Sequence, residues 1–222
     1  HETYQDYGNK KLQMSDRNII KKIKFNKTHS NTIVNSEILK KIIKKNCKNK
    51  ILGLDIDSKN IKKNNLFIAL KGKYKNGHDY VNQALKNRAS YCIISQKVKS
   101  KFKKKFIRVK NTKDFLNEIA IKKRDFSNAK IIGVTGSAGK TTLKTVLAKL
   151  LKKFGKTYSS PRSFNNHYGV PVSLGNLETD HSFGVFEIGM SKIGEINTLS
   201  KMVKPDIGII TNVAEAHIEN FR

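Results

Sequence analysis

Long apolar runs are absent from this 222-residue sequence. No stretch approaches the roughly 18 consecutive apolar residues of a membrane-spanning helix, and His1 to Asp6 is too polar for a signal peptide. We therefore predict a cytoplasmic protein with no membrane span. Cysteine is also scarce: Cys47 and Cys92 form no CxxC pair and have no metal-ligand spacing around them. This pattern favours reduced thiols over a disulfide or a metal centre.

Acidic residues are few, because 17 Asp and Glu stand against 45 Lys and Arg, for a formal net charge of +28. Clustered cations can indicate a nucleic-acid-binding protein, since they neutralise phosphates. Here the lysines are spread from Lys10 to Lys204, the only dense run in the middle of the chain is Lys101–Lys105, and no nucleic-acid-binding module is recognisable. We favour a solvated basic surface with no nucleic-acid partner, whose positive field would suit a polyanionic nucleotide substrate.

Residues 25–110 have the pattern of a small α/β domain. Short apolar runs separated by Gly and Asn turns are typical of strands, and residues 79–87 place Val81, Ala84 and Leu85 on one helical face. The predicted strands are Ile51–Ile56, Leu66–Leu70, Tyr91–Ser95 and Phe106–Val109.

Residues 111–128 are predicted to form a connecting helix, and residues 129–222 a second domain with regular alternation of strands and helices. Such alternation indicates a mostly parallel sheet covered on both faces. The predicted fold class is therefore α/β, with a small N-terminal α/β domain followed by a domain built on a mostly parallel sheet. The apolar stripe of the connecting helix is Phe115, Leu116, Ile119 and Ala120. In the second domain, the predicted strands are Ile131–Thr135, Gly184–Ile188 and Ile207–Thr211. The predicted helices there are Thr141–Phe154 and Ile193–Met202.

The segment Gly133–Thr142, G-V-T-G-S-A-G-K-T-T, lies between a predicted strand and a predicted helix, as a phosphate-binding loop requires. Glycines let successive backbone N–H groups face the phosphates, Lys140 adds a full charge, and the Thr141 hydroxyl would bind Mg²⁺. The general pattern G-x-x-x-x-G-K-[ST] is matched imperfectly, because Val134 stands at the first glycine position. A plain glycine-rich turn is the alternative. The placement of the lysine and the threonines favours a nucleoside triphosphate site.

The loop Thr135–Thr141 resembles the shorter form T-G-x-x-G-K-T, which is found in the Mur ligases and folylpolyglutamate synthetases. Three later segments are similar to Mur ligase motifs: Ser163–Pro171 to F-N-N-x-x-G-V-P, Phe186–Ser191 to a strand ending in glutamate, and Thr211–His217 to N-V-x-x-x-H. Mur ligases are ATP-dependent enzymes of peptidoglycan precursor synthesis, which form an amide through an acyl phosphate. The resemblance implies that activity here, with a central ATPase domain whose first part is residues 129–222.

The resemblance also implies functional residues. Those expected to bind ATP are Gly136, Ser137, Ala138, Gly139, Lys140, Thr141, Thr142, Asn165 and Asn166. Those expected to hold Mg²⁺ are Thr141, Glu187 and His217, and the catalytic set is Lys140, Glu187 and His217.

Each of these assignments has a plainer alternative. Glu187 could be a surface carboxylate at the end of a strand, and His217 an ordinary histidine at a helix start. Asn165 and Asn166 could be turn residues that contact no ligand. The open α/β sheet favours the functional assignment of Glu187, because such sheets bind ligands at the carboxyl ends of their strands.

The segments Asp57–Lys59, Asn65–Gly72 and Asn76–Tyr80 resemble the UDP-binding N-terminal domain of Mur ligases. The resemblance implies UDP contacts at Ser58, Lys71, Gly72 and His78, although loop formation alone would explain the glycines. With the F-N-N and E-x-G-M-S segments, it favours the member that adds D-alanyl-D-alanine to UDP-N-acetylmuramoyl-tripeptide. The alternatives are the neighbouring ligase, which adds the third peptide residue, and a non-ligase nucleotide-binding protein with a phosphate loop.

Residues 1–24 carry a separate resemblance. His1–Gln5 and Ser15–Arg17 are similar to the C-terminal tail of that neighbouring ligase, in which Glu2 would match a glutamate that contacts a diamino acid. We therefore expect a piece of a fused or read-through polypeptide. Because the family's carbamylated lysine and C-terminal domain would follow Arg222, we expect that the chain alone cannot complete ligation.

Overall fold

A computed structural model of the chain describes residues 38–43 and 47–214. Residues 1–24, with their resemblance to a ligase tail, lie outside the described residues, and so does His217. Within the described ranges, no helix combines the length and the apolar character needed to cross a membrane. The predicted boundaries at residues 24, 110 and 128 stay predictions.

The described strands form two four-stranded sheets, and every pairing within them is parallel. The predicted α/β class is confirmed. The first sheet has the order β1-β2-β3-β4, with β1 at Gly53–Asp55, β2 at Asn65–Ile68, β3 at Tyr91–Ile94 and β4 at Phe106–Arg108. The second has the order β6-β7-β5-β8, with β5 at Lys130–Thr135, β6 at Thr157–Ser159, β7 at Phe183–Glu187 and β8 at Ile207–Ile210.

Helices connect the strands and cover the faces of both sheets. Residues 38–43 are helical, and 3-10 turns lie at Gly77–Tyr80 and Lys103–Lys105. The other helices are α1 (Val81–Lys86), α2 (Thr112–Phe126), α3 (Lys140–Leu151), α4 (Gly169–Gly175) and α5 (Glu195–Val203).

Each sheet has a core on both faces, because successive side chains of a strand point to opposite sides. On the first sheet, Leu66 packs with α2 and residues 38–43, whereas Phe67 and Cys92 pack with α1. Cys47 and Cys92 are buried, and neither forms a disulfide within the described residues. Burial raises the pKa of the Cys92 thiol to about 12, so this side chain acts as a small apolar residue of the core.

The predicted connecting helix α2 is more than a connector. Its apolar stripe faces both cores: Leu116 and Ile119 join the core of the first sheet, and Ala120 joins that of the second. Helix α4 is shared in the same way, through Val172 and Leu174. Since full burial of a leucine or isoleucine contributes about 2 kcal/mol, these helices fasten the two sheets to each other.

Asn176, directly after α4, forms a polar link between the two halves. Its Oδ1 accepts a hydrogen bond from the Leu54 backbone N–H at 2.9 Å, and its Nδ2 donates to the Leu54 carbonyl at 2.9 Å. Nδ2 also donates to the carbonyl of Val172 at 2.8 Å. Among the described strands, β1 with Leu54 lies at the edge of its sheet, so the carboxamide pairs with the Leu54 backbone as a neighbouring strand would.

We expect Asn176→Ala to lower the free energy of unfolding by about 2 kcal/mol, because a buried backbone donor and acceptor would lose their partner. Urea unfolding at neutral pH measures the change. Asn82→Ala is the control, since Asn82 donates one exposed hydrogen bond to the Lys99 carbonyl and should change stability by no more than about 0.5 kcal/mol. Equal effects in the two variants would contradict the proposed link.

The predicted strands and helices are present among the described residues, with ends that differ by up to three residues, and several short elements, such as the helix at residues 38–43, were not predicted. Helix α3 ends at Leu151 rather than Phe154. Strand β6 and helix α4 were not predicted, because β6 is only three residues long and α4 contains Pro171 with glycines at both ends. Pro171 fits because it lies in the first helical turn, where backbone N–H groups have no partner within the helix.

Candidate functional site

The carboxyl edge of the second sheet brings three predicted motifs together. Strand β5 leads into the loop before α3, β7 ends at Glu187, and Thr211 follows β8. All three strands are parallel and adjacent in the order β7-β5-β8. Their carboxyl ends therefore meet at one edge, where open α/β sheets bind ligands.

The loop between β5 and α3 depends on two glycines with positive φ angles, +130° at Gly136 and +78° at Gly139. A Cβ atom at Gly136 would collide with the Thr211 side chain and lie 2.9 Å from the Asn212 carbonyl oxygen. Only glycine fits there. Val134, which replaces a glycine of the general pattern, is instead a buried core residue of β5, so the loop begins later than in that pattern.

Lys140 lies across the loop. Its Nζ donates hydrogen bonds to the carbonyl oxygens of Gly136 and, at 3.3 Å, of Ser137. Among the described residues, no side chain caps the N-terminus of α3, and the first N–H groups of a helix have no partners within it. The start of α3 thus combines N–H groups that have no partners within the helix, a helix dipole and the Lys140 ammonium group, an arrangement that attracts phosphate.

The Thr141 hydroxyl donates a hydrogen bond to Glu187 Oε2 at 2.8 Å. Glu187 is 1% exposed, so it is not the surface carboxylate of the alternative interpretation. Asn165 Nδ2 donates to the other carboxylate oxygen, Oε1, at 2.9 Å. A hydroxyl and a carboxylate in contact beside a phosphate loop are oxygen ligands of the kind that Mg²⁺ prefers, so these residues fit a magnesium ion.

Lys144, one turn after Lys140 on α3, is a site residue that the sequence analysis missed. Its Nζ lies 3.1 Å from Glu187 Oε2, and the two side chains are only 3% and 2% exposed. The same ammonium donates to the Arg162 carbonyl. Its position three residues after Thr141 is the sequence feature that could have indicated a role in the site, since residues three apart on a helix share a face.

The other predicted ATP residues take different positions. Ala138, Gly139 and Thr142 are exposed, and Ser137 is half-buried. The Asn166 side-chain oxygen accepts from the N–H groups of Tyr168 and Gly169, at 3.0 and 2.9 Å. Asn166 thus organises the start of α4, as a turn residue would, whereas Asn165 contacts the site.

Residues after β8 close against the loop, and two of them were not predicted as site residues. Thr211 Oγ1 donates to the Ala138 carbonyl at 2.6 Å, and Asn212 Oδ1 accepts from the Ala138 N–H at 2.9 Å. The Asn212 carbonyl accepts from the Ser137 N–H at 3.1 Å. Only the start of the Thr211–His217 motif is described, and it supports the loop directly.

Two family models match the sequence. One is described as the Mur ligase middle domain and matches residues 134–222. The other is described as Mur ligase family, catalytic domain, and matches residues 50–124. The chain belongs to the Mur ligase family. The matches include the phosphate loop and Glu187 as well as the segments of the first sheet.

Similar Mur ligases are found among sequences and solved structures. A "UDP-N-acetylmuramoyl-tripeptide--D-alanyl-D-alanine ligase" of Rickettsia prowazekii is 40% identical over 168 residues, which are 76% of this chain and 37% of that protein. A MurF crystal structure from Acinetobacter baumannii has a TM-score of 0.71 at 28% identity and covers 84% of this chain and 42% of that one. The MurF ligase of Thermotoga maritima in complex with ADP has a TM-score of 0.62 at 33% identity, with 75% and 38% covered. The chain therefore spans about two fifths of the length of these relatives.

The four candidate UDP contacts of this Mur ligase follow strands β1 and β2. Lys71 and Gly72 are exposed in a turn in which the Gly72 N–H donates to the Lys75 carbonyl at 2.9 Å. The buried Ser58 hydroxyl donates to Gln83 Oε1 at 2.7 Å. The candidates thus share the carboxyl edge of the first sheet.

Both ring nitrogens of the buried His78 have partners within the protein. Nε2 accepts from the Ser95 N–H at 3.0 Å, and Nδ1 lies 2.8 Å from Asn76 Oδ1. Because Nε2 accepts, the proton belongs on Nδ1, which donates to Asn76. Burial lowers the pKa of His78, so the neutral ring joins the turn after β2 to the end of β3.

Proposed function

We propose that the whole protein is an ATP-dependent ligase that joins D-alanyl-D-alanine to UDP-N-acetylmuramoyl-tripeptide in peptidoglycan precursor synthesis. The sequence identity of this chain to ligases of that name supports the proposal, and so does the similar Thermotoga maritima structure, which is a complex with ADP. The observation that carries it is the 2.8 Å hydrogen bond between Thr141 and Glu187. That bond joins the phosphate loop to the strand-end carboxylate in one site.

The reaction needs positioning and charge stabilisation more than covalent chemistry by the protein. The peptide carboxylate attacks the γ-phosphate of ATP, ADP leaves, and an acyl phosphate forms. The amine of D-alanyl-D-alanine then attacks the acyl carbon, and phosphate leaves as the amide bond forms. Lys140 and the N–H groups at the start of α3 stabilise the charge of the transferring phosphoryl group.

Mg²⁺ is the second proposed cofactor, with Thr141 and Glu187 as the described residues that would hold it and His217 as a further candidate. Bound there, it would shield the negative charge of the phosphates. Asn165 orients the Glu187 carboxylate through its hydrogen bond to Oε1. The buried surroundings of Glu187 strengthen these polar contacts, because water does not compete with them.

The uridine nucleotide is proposed to bind at the carboxyl edge of the first sheet. Lys71 is exposed there and can contact the diphosphate, and the Gly72 turn lets the backbone approach it. Contact between the nucleotide and the buried Ser58 hydroxyl would require the hydrogen bond to Gln83 to break. The structure supports an indirect role for His78, which shapes the turn through Asn76 and Ser95.

Calorimetric titration with UDP and with ATP plus Mg²⁺ tests this proposal, because it separates a Mur ligase from other phosphate-loop proteins. A Mur ligase should bind both nucleotides, at separate and non-competing sites. A kinase or a nucleotide switch has no use for a uridine-nucleotide domain and should bind ATP alone. Binding of ATP with no saturable binding of UDP would therefore contradict the ligase assignment.

A further inference from the structure

Lys144 joins three separate segments of the site. It projects from α3, its ammonium contacts the Glu187 carboxylate at the end of β7, and it also donates to the Arg162 carbonyl in the loop between β6 and α4. Its side chain is 3% exposed. The charge is therefore held by protein groups rather than by water.

The loop that receives this hydrogen bond also carries Asn165. Arg162 has a φ angle of +46°, an unusual value for a residue with a side chain. Three residues later, Asn165 donates to Glu187 Oε1, and its carbonyl accepts from the Gly189 N–H at 2.7 Å. Lys144 and Asn165 thus contact different carboxylate oxygens of Glu187, and this loop provides both the Asn165 side chain and a partner for the Lys144 ammonium.

Stability alone does not explain a lysine at this position. A buried ion pair gains little over well-packed apolar residues of similar volume, because the charges lose their hydration. What the pair does provide is a fixed orientation: with Lys144 and Thr141 on Oε2 and Asn165 on Oε1, the carboxylate has one position relative to the phosphate loop.

We propose that Lys144 is a positioning residue, which fixes the Glu187 carboxylate and the loop at Arg162 for the metal–nucleotide complex. The inference rests on the proposed function, since it assigns Glu187 to the metal. Lys144 acts through Glu187 and through the loop, and it does not itself touch the nucleotide. Its ammonium weakens the attraction of the site for a cation, and the gain in orientation outweighs that repulsion.

Lys144→Met tests the proposal, with Lys149→Met as the matched control. Both lysines lie on α3, but Lys149 is exposed. The measurement is binding of a fluorescent ADP analogue as Mg²⁺ is titrated, repeated in EDTA. In Lys144→Met we expect the half-saturating Mg²⁺ concentration to rise about ten-fold or more, as is typical when a partner of a metal ligand is removed. Binding in EDTA should stay at the parent level, and Lys149→Met should match the parent in both.

Lys144→Gln, which keeps a hydrogen-bond donor without the charge, should show a smaller rise. Tighter Mg²⁺ binding in Lys144→Met would show that the lysine competes with the metal, and would overturn the proposal. So would equal behaviour of the Lys144 and Lys149 variants, or unfolding of both Lys144 variants at the assay temperature. If the parent chain shows no Mg²⁺-dependent nucleotide binding, the proposed function fails as well.

Discussion

Replacing Lys140 with alanine is expected to lower ATP turnover of the whole protein about a hundred-fold or more, because the variant loses a charge that stabilises the transferring phosphoryl group. The described contacts of Lys140 Nζ are with two loop carbonyls, of Gly136 and Ser137, and phosphate oxygens would replace them when ATP binds. Phosphate release in the presence of both other substrates measures the change.

The loss should come without unfolding. The glycines and the contacts from Thr211 and Asn212 shape the loop independently of the lysine, so stability should stay within about 0.5 kcal/mol of the parent. Lys149→Ala, on the exposed face of the same helix, removes an equal charge and should keep full turnover. Near-normal turnover by Lys140→Ala would remove the phosphate-loop assignment.

Glu187→Gln should affect both stability and metal binding. The amide keeps the shape of the side chain but leaves the Lys144 ammonium buried without its counter-charge. Breaking a buried pair in this way costs about 3 kcal/mol of unfolding free energy. Removal of the carboxylate should also abolish Mg²⁺-dependent nucleotide binding. Urea unfolding and Mg²⁺ titration measure the two effects separately.

A second change separates these effects. In the double variant Glu187→Gln/Lys144→Met both charges are gone, so much of the stability should return while Mg²⁺-dependent binding stays absent. Glu118→Gln is the control, because the Glu118–Lys122 pair on α2 is well exposed and such pairs contribute at most about 1 kcal/mol. If Glu187→Gln lowered the unfolding free energy no more than Glu118→Gln does, the Lys144–Glu187 pair would behave as an exposed pair, and its burial would be contradicted.

The features that the sequence predicted are those set by neighbouring residues. The four strands of the first sheet follow from short apolar runs between turns, and the stripe on α2 follows from helical spacing; Leu116, Ile119 and Ala120 are buried as expected. The phosphate loop was recognisable for the same reason, since its glycines, lysine and threonine lie within six residues of sequence. Glu187 could be placed beside it because parallel strands end at a common edge.

The features that were missed depend on contacts between distant segments. Lys144 is one of 45 basic residues, and its helical spacing from Thr141 places it on the same helix face without showing that its ammonium meets a carboxylate 43 positions later. The hydrogen bonds of Asn176 to Leu54 span 122 positions. Asparagine there has the sequence signature of a turn, so its role on the edge of β1 could not be foreseen.

The sharing of α2 and α4 between both cores has a mechanical consequence. A tilt of one sheet against the other would pull Leu116 and Ala120 of the same helix in opposite directions, and closely packed interiors do not deform continuously. The described sheets should therefore move as a rigid block. Any motion that admits or releases ligands within this part of the chain then falls to the segments that follow the strand ends.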